Sequence, residues 1–156
     1  MVKLVWLIAC CHLLPYVCFT MNFQSPPHWL RPVCAMLALL LVVGLFAGAS
    51  LPVASNLFHP PWDKVAHAAT FAVLAMLLAV ALRDAHLLHG QSAISPVMAL
   101  GLGWALAAMV GGADEIHQIW IPGRVADWYD WFADVLGSGV ATGALWWLQG
   151  ASRRAP

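Results

Sequence analysis

The chain has 156 residues, of which 62% are hydrophobic and 9% charged, with seven basic side chains balancing seven acidic ones, and its mean hydropathy is +0.80. Soluble domains carry about a quarter charged residues, so a water-soluble fold of this length is excluded, and zero net charge without a basic tract excludes nucleic acid as a partner. The apolar runs are unbroken and rich in Leu and Ala, which excludes a β-barrel of alternating strands and leaves an all-α, polytopic membrane bundle.

The first apolar run, Leu4–Phe23, contains Pro15 and ends at Gln24-Ser25-Pro26-Pro27. It reads as an extra N-terminal helix, as a signal-like segment behind Lys3, or as the result of a misplaced start, with Met21 the true first residue and a short polar leader before the Val33 helix. The second run, Val33–Leu51, matches the roughly 20 residues needed to cross the hydrocarbon core. A Pro-rich loop, Pro52–Trp62, leads to the third run, Val65–Leu82, which Arg83-Asp84 end. Ser95-Pro96 open the fourth, with Ser as N-cap and Pro in the first turn, and Pro122-Gly123 stop it after about Ile121. The fifth runs from Asp127 or Asp130 to Leu148. The expected organisation is an N-terminal segment over 1–31, a domain of four core transmembrane helices over 32–150, and a cytoplasmic tail over 151–156. Cys10, Cys11, Cys18 and Cys34 all lie in apolar runs without metal-ligand spacing, and read as small buried hydrophobes.

Charge is distributed unevenly over these runs. Five of the seven acids lie between Asp114 and Asp134. Charge among membrane helices is costly, so such a concentration points to function. Asp63, Lys64 and His67 open the third run, with spacings that let Asp63 and Lys64 each meet His67 on one helix face, and His67, about one turn in, is expected to contact the acid cluster. Asp63 sits in a first turn, where the helix dipole favours an acid. Asp114, Glu115, His117 and Gln118 occupy the last turns of the fourth run, where the dipole disfavours acids, so compensation by Arg124, Lys64, a protonated His or a bound cation is expected there. Asp114 and Gln118 share a face. Pro122-Gly123 has the chemistry of a type II turn. Arg124, with acids all round it, is expected to pair with Asp114 or Asp127, or to hold an anionic headgroup. Asp127, Asp130 and Asp134 recur at i, i+3 and i+7, and the same stripe continues through Gly137, Ser138 and Ala141, so this face is expected to point into the bundle. Trp120, Trp128, Tyr129 and Trp131 at one end, and Trp146 and Trp147 at the other, read as interfacial belts. Arg31, Arg83, Arg153 and Arg154 mark one side of the four-run bundle, and Lys64 and Arg124 with the acid cluster the other. The positive-inside rule makes the first side cytoplasmic.

Asp63-Lys64-x-x-His67, Asp114-Glu115-x-x-Gln118, Pro122-Gly123-Arg124, and Asp127 and Asp130 leading to Gly137 together resemble the VanZ-like family of small bacterial membrane proteins, over roughly residues 33–148. The resemblance implies an inner-membrane, multi-pass protein with its polar motifs facing outward. The family's name comes from reduced susceptibility to teicoplanin, a glycopeptide-type antibiotic, and carries no phenotype over to this chain. The sequence departs from the family at Asp134, where Asn is more frequent, and in the apolar segment at 1–20. Three functions fit. The polar residues bind an anionic or lipid-linked envelope component, with a divalent cation held, if at all, by Asp114, Glu115, Asp130 and Asp134. Alternatively they act as a membrane hydrolase or transferase on a lipid-linked substrate, with Glu115 or Asp114 as base and Arg124 stabilising negative charge. In the third reading they build an interhelical network in an assembly partner of other envelope proteins. Beyond the lipid bilayer, the expected partners are thus a lipid-linked envelope precursor or an envelope protein.

Overall fold

The structure, a computed structural model, describes residues 27–51, 61–86 and 93–152. The first apolar run, most of the Pro-rich loop, His89 and the Arg153-Arg154 tail lie outside the described residues. Four helices follow one another: α1 Leu30–Ala49, α2 Trp62–Leu82, α3 Pro96–Gln118 and α4 Trp128–Ser152. Among the described residues there is no strand. The result is an all-α bundle.

The helix boundaries follow local chemistry. Ser95 caps α3, its Oγ accepting the Met98 N–H at 3.3 Å, and Pro96 occupies the first helical position where no donor is needed. α2 begins three residues before the expected Val65, which places Asp63 in its first turn. It ends at Arg83, beyond which Asp84 turns left-handed with φ of 54°. α3 stops at Gln118, and Ile121-Pro122-Gly123-Arg124 form the type II turn: the Arg124 N–H donates to the Ile121 carbonyl at 3.1 Å and Gly123 has φ of 81°.

α2 is the centre of the bundle. It packs on all three other helices, whereas α1 touches α2 and α3 but not α4. The core joins Phe71, Leu74 and Ala75 of α2 with Ala38 of α1 and Ala107 of α3. α2 and α4 approach closely at Gly137, where an added Cβ would collide with the backbone carbonyl of Ala68.

Three helices, α1 to α3, are long and apolar enough to cross a membrane. α4, at 25 residues, is long enough but does not share their composition. Its polar residues account for the difference. Asp134, Ser138 and Thr142 are buried against the bundle, while Phe132, Leu136 and Val140 are exposed on the opposite side. Ser138 and Thr142 return their hydroxyls to the carbonyls of Asp134 and Ser138, at 2.7 and 2.9 Å, so the inward stripe leaves them no unmet donor. α4 is therefore inside-out: apolar on its exposed face and polar towards its neighbours.

Candidate functional site

Because the helices alternate in direction, the N-terminus of α2, the C-terminus of α3 and the N-terminus of α4 meet at one end of the bundle. The polar side chains sit there. Lys64 of α2 is the hub. Its Nζ lies 2.5 Å from Asp127 Oδ2, 2.5 Å from Asp130 Oδ1 and 3.2 Å from Asp63 Oδ2. One ammonium thus answers three carboxylates from two helices and a loop. Asp63 also accepts the Lys64 N–H at 2.9 Å. Asp127 lies just outside α4 and caps it, accepting the Tyr129 N–H at 2.9 Å. The hydrogen bond from Lys64, followed by that from Tyr129, holds the Asp127 carboxyl below its ordinary value of 3.8.

One turn deeper, His67 lies between two aspartates of α4. Its Nδ1 is 3.0 Å from Asp134 Oδ1, and its Nε2 is 3.9 Å from Asp130 Oδ2. Asp134 is 0% exposed. A carboxylate on Nδ1 favours the tautomer that leaves a lone pair on Nε2. Asp134 Oδ2 is buried without a partner. It faces Gly111 of α3, where a Cβ would lie 2.6 Å from it, so a glycine is what lets this acid fit between α3 and α4.

α3 contributes Asp114, Glu115 and Gln118, all buried. The Gln118 amide donates to Asp114 Oδ2 at 3.0 Å and to Glu115 Oε1 at 3.4 Å. Glu115 Oε2 accepts the Asp127 N–H at 2.7 Å. These donors offset the unfavourable placement of two acids at the negative end of a helix. Asp114 Oδ1 remains buried and unpartnered.

Nine of the singled-out side chains, Asp63, Lys64, His67, Asp114, Glu115, Gln118, Asp127, Asp130 and Asp134, are thus linked through hydrogen bonds and ion pairs across three helices. Arg124 is not among them. The expected pairing with Asp114 or Asp127 does not form: its Nε is buried without a partner, and among the described residues no ion pair includes it. Lys64, arriving from α2, has taken the place next to Asp127. His117 also turns away, to pack on Phe46 of α1 at 5.1 Å. Trp131 is no belt residue. Its indole N–H donates to the Ala108 carbonyl at 3.0 Å, whereas Trp120, Trp128 and Tyr129 are exposed as a belt requires.

The cluster holds six carboxylates against Lys64 and His67, so it carries excess negative charge whatever the state of the histidine. It suits a cation, and repels a bare anion. Among the described residues, His67, Glu115 and Asp130 each offer one donor atom within 4.8 Å of the others, a mixed nitrogen and oxygen set from three helices. This set differs from the all-carboxylate one expected from sequence in taking His67 and leaving Asp114 and Asp134 behind it. Gly111 was not singled out for the cluster from sequence, although its place i−3 from Asp114 and i−7 from Gln118 puts it on the same stripe. A family model described as VanZ/LLP1 matches residues 4–149, wider than the stretch spanned by the motifs and including the first apolar run. No curated protein and no solved structure matches the chain.

Proposed function

The chain belongs to the VanZ/LLP1 family and is an integral membrane protein, and on that premise we propose that it binds an anionic, lipid-linked component of the bacterial envelope through the polar cluster, with a divalent cation between the acids and the ligand. The observation that carries this reading is the excess of carboxylates gathered at one end of the bundle, three of them on Lys64. An anionic ligand gains nothing from such a surface unless a cation stands between them. His67, Glu115 and Asp130 are the donors for it, and Asp134 orients His67 as carboxylates behind metal-binding histidines do. Imidazole with two carboxylates suits manganese or zinc better than magnesium, which favours oxygen alone. The cluster faces the outside of the inner membrane in this reading, because the opposite side holds Arg31 and Arg83.

The test uses purified protein in lipid nanodiscs. Mn2+ titrated by electron paramagnetic resonance should occupy one site per chain. H67A, E115Q and D130N should each weaken it by at least about tenfold, as loss of a ligand or its support does. Retention of an anionic lipid should fall on chelation. Retention unchanged by both chelator and D130N would defeat the reading.

The His67–Asp134 pair supports a second reading, a hydrolase or transferase on a lipid-linked substrate. An imidazole oriented through Nδ1 presents Nε2 as a base for water. In that case the base is His67, with Glu115 and Asp114 in supporting places. Turnover of a polyprenyl-linked substrate, abolished in H67A and strongly reduced in D134N, is its expected signature. Absence of turnover by metal-free protein, in which the Nε2 lone pair is available, rejects it.

A further inference from the structure

Beside the polar cluster, on the outer side of α3, lies a groove of about 490 Å³, within the range of small-molecule sites. Met109, Ala113 and Ile116 of α3 lie along it at i, i+4 and i+7, and Trp131 of α4 and Trp128 at the start of that helix line it as well. Met109 and Ile116 are strongly exposed, and Ala113 between them is also exposed but small, so the stripe is notched in its middle. Glu115 is the one charged residue in the lining. It is also the carboxylate that accepts the Asp127 N–H and belongs to the donor set with His67 and Asp130.

We propose that this groove holds the hydrocarbon chain of an anionic lipid that enters sideways from the bilayer, with its head group at Glu115 and the cation beside it. The proposal rests on the functional reading above and adds the ligand's class and its way in. The groove is apolar but for the single carboxylate of Glu115, so its complement is a molecule of the same polarity: a chain and a head. α3 is one of the helices long and apolar enough to span a membrane, so a chain entering along its outer face stays in hydrocarbon and only the head changes surroundings. A helix of another protein is a poorer occupant. The small residues that would admit one, Ala108 and Gly112, are already covered from within: Trp131 donates to Ala108, and a Cβ on Gly112 would come within 3.5 Å of the Trp131 indole nitrogen. Trp131 thus forms a fixed wall instead of an open contact face.

The experiment embeds the full chain in nanodiscs containing a phosphatidic acid with a diazirine in its acyl chain, with Mn2+ present, and maps the photolabelled residues by mass spectrometry. Labelling at Met109 and Ile116 should exceed that at Leu136 and Val140, lipid-facing residues of α4, by about tenfold. A113F, which fills the notch at an exposed position, should abolish the excess, and M109W should reduce it in parallel. Equal labelling of all four residues would overturn the proposal, because that is what a bulk lipid shell gives. Disulfide crosslinks between two copies of an I116C chain lacking the four native cysteines, formed under added oxidant, would also overturn it in favour of a protein occupant. An excess that survives both D130N and chelation would leave the groove standing and reject the polar-site reading instead.

Discussion

Lys64 shows how much one side chain can decide. A lysine just inside a membrane helix is expensive unless its charge is met, and here it is met by Asp63, Asp127 and Asp130. The same contacts keep those three acids from repelling one another. Lys64→Met should therefore cost about 1–3 kcal/mol, between the values of exposed and buried ion pairs, and loosen the start of α4. Thermal unfolding in detergent measures the first effect, and amide exchange at Tyr129 the second. Adding Asp130→Asn should recover part of the loss, because one uncompensated charge disappears with it. A K64M protein as stable as the original would show that the acids are held apart by solvent. Asp127 responds to pH in a stated direction. Its carboxyl is held down in the folded protein, so its contribution is present above the ordinary aspartate range and disappears as pH falls through the lower folded value.

At the scale of helices, the decisive feature is the approach of α2 and α4. Gly137 lies against the Ala68 backbone, and that closeness brings Asp130 and Asp134 to Lys64 and His67. Gly137→Ala should force the helices apart at a cost of about 1–3 kcal/mol, and with them the polar cluster. Gly143→Ala, six residues along the same helix with open space around it, should be neutral or stabilising by up to about 1 kcal/mol. Equal effects of the two substitutions on membrane abundance and unfolding would mean that the close approach is unimportant. Helices of this kind are easy to read from sequence: apolar runs, Ser95-Pro96 and Pro122-Gly123 locate α1 to α3 to within a few residues. The inward face of α4 was also legible, since Asp130, Asp134, Gly137 and Ser138 recur at helical spacing. Partners across helices were legible only as classes, His67 and a basic side chain with the acid cluster, and not as individual pairs. Periodicity gives the direction a side chain leaves its own helix, and says nothing of which neighbour it finds. Arg124 and Lys64 were equally near the acids in chemistry, and only the packing of α2 on α4 selects Lys64. Trp131 failed for the same reason, because belt and wall tryptophans have identical sequence signatures.

Taken whole, the molecule has two unlike ends. One gathers the carboxylates with Lys64, and the other presents Arg83 and Asp84 between α2 and α3. If the positive-inside rule sets the orientation, a cysteine at Val125, which is 84% exposed, reacts with a membrane-impermeant maleimide on intact spheroplasts. A cysteine at the exposed Ala93 reacts only after lysis, both in a background lacking the four native cysteines. The reverse pattern would place the acids inside and exclude an outer envelope ligand.

The inside-out character of α4 bears on how the protein is made. An aspartate near the middle of an isolated helix adds about 2.5–3.5 kcal/mol to the cost of membrane insertion, and α4 carries two aspartates in its first half besides Ser138 and Thr142. Ser138 and Thr142 are satisfied within α4 itself, but Asp130 and Asp134 find their partners, Lys64 and His67, on α2, which like α3 precedes α4 on the ribosome. Both earlier helices can partition into lipid on their own hydrophobicity, whereas α4 follows as their dependant. The Lys64–Asp63 pair lies within α2, whereas every ion pair that joins α2 to Asp127, Asp130 or Asp134 waits for α4 to dock.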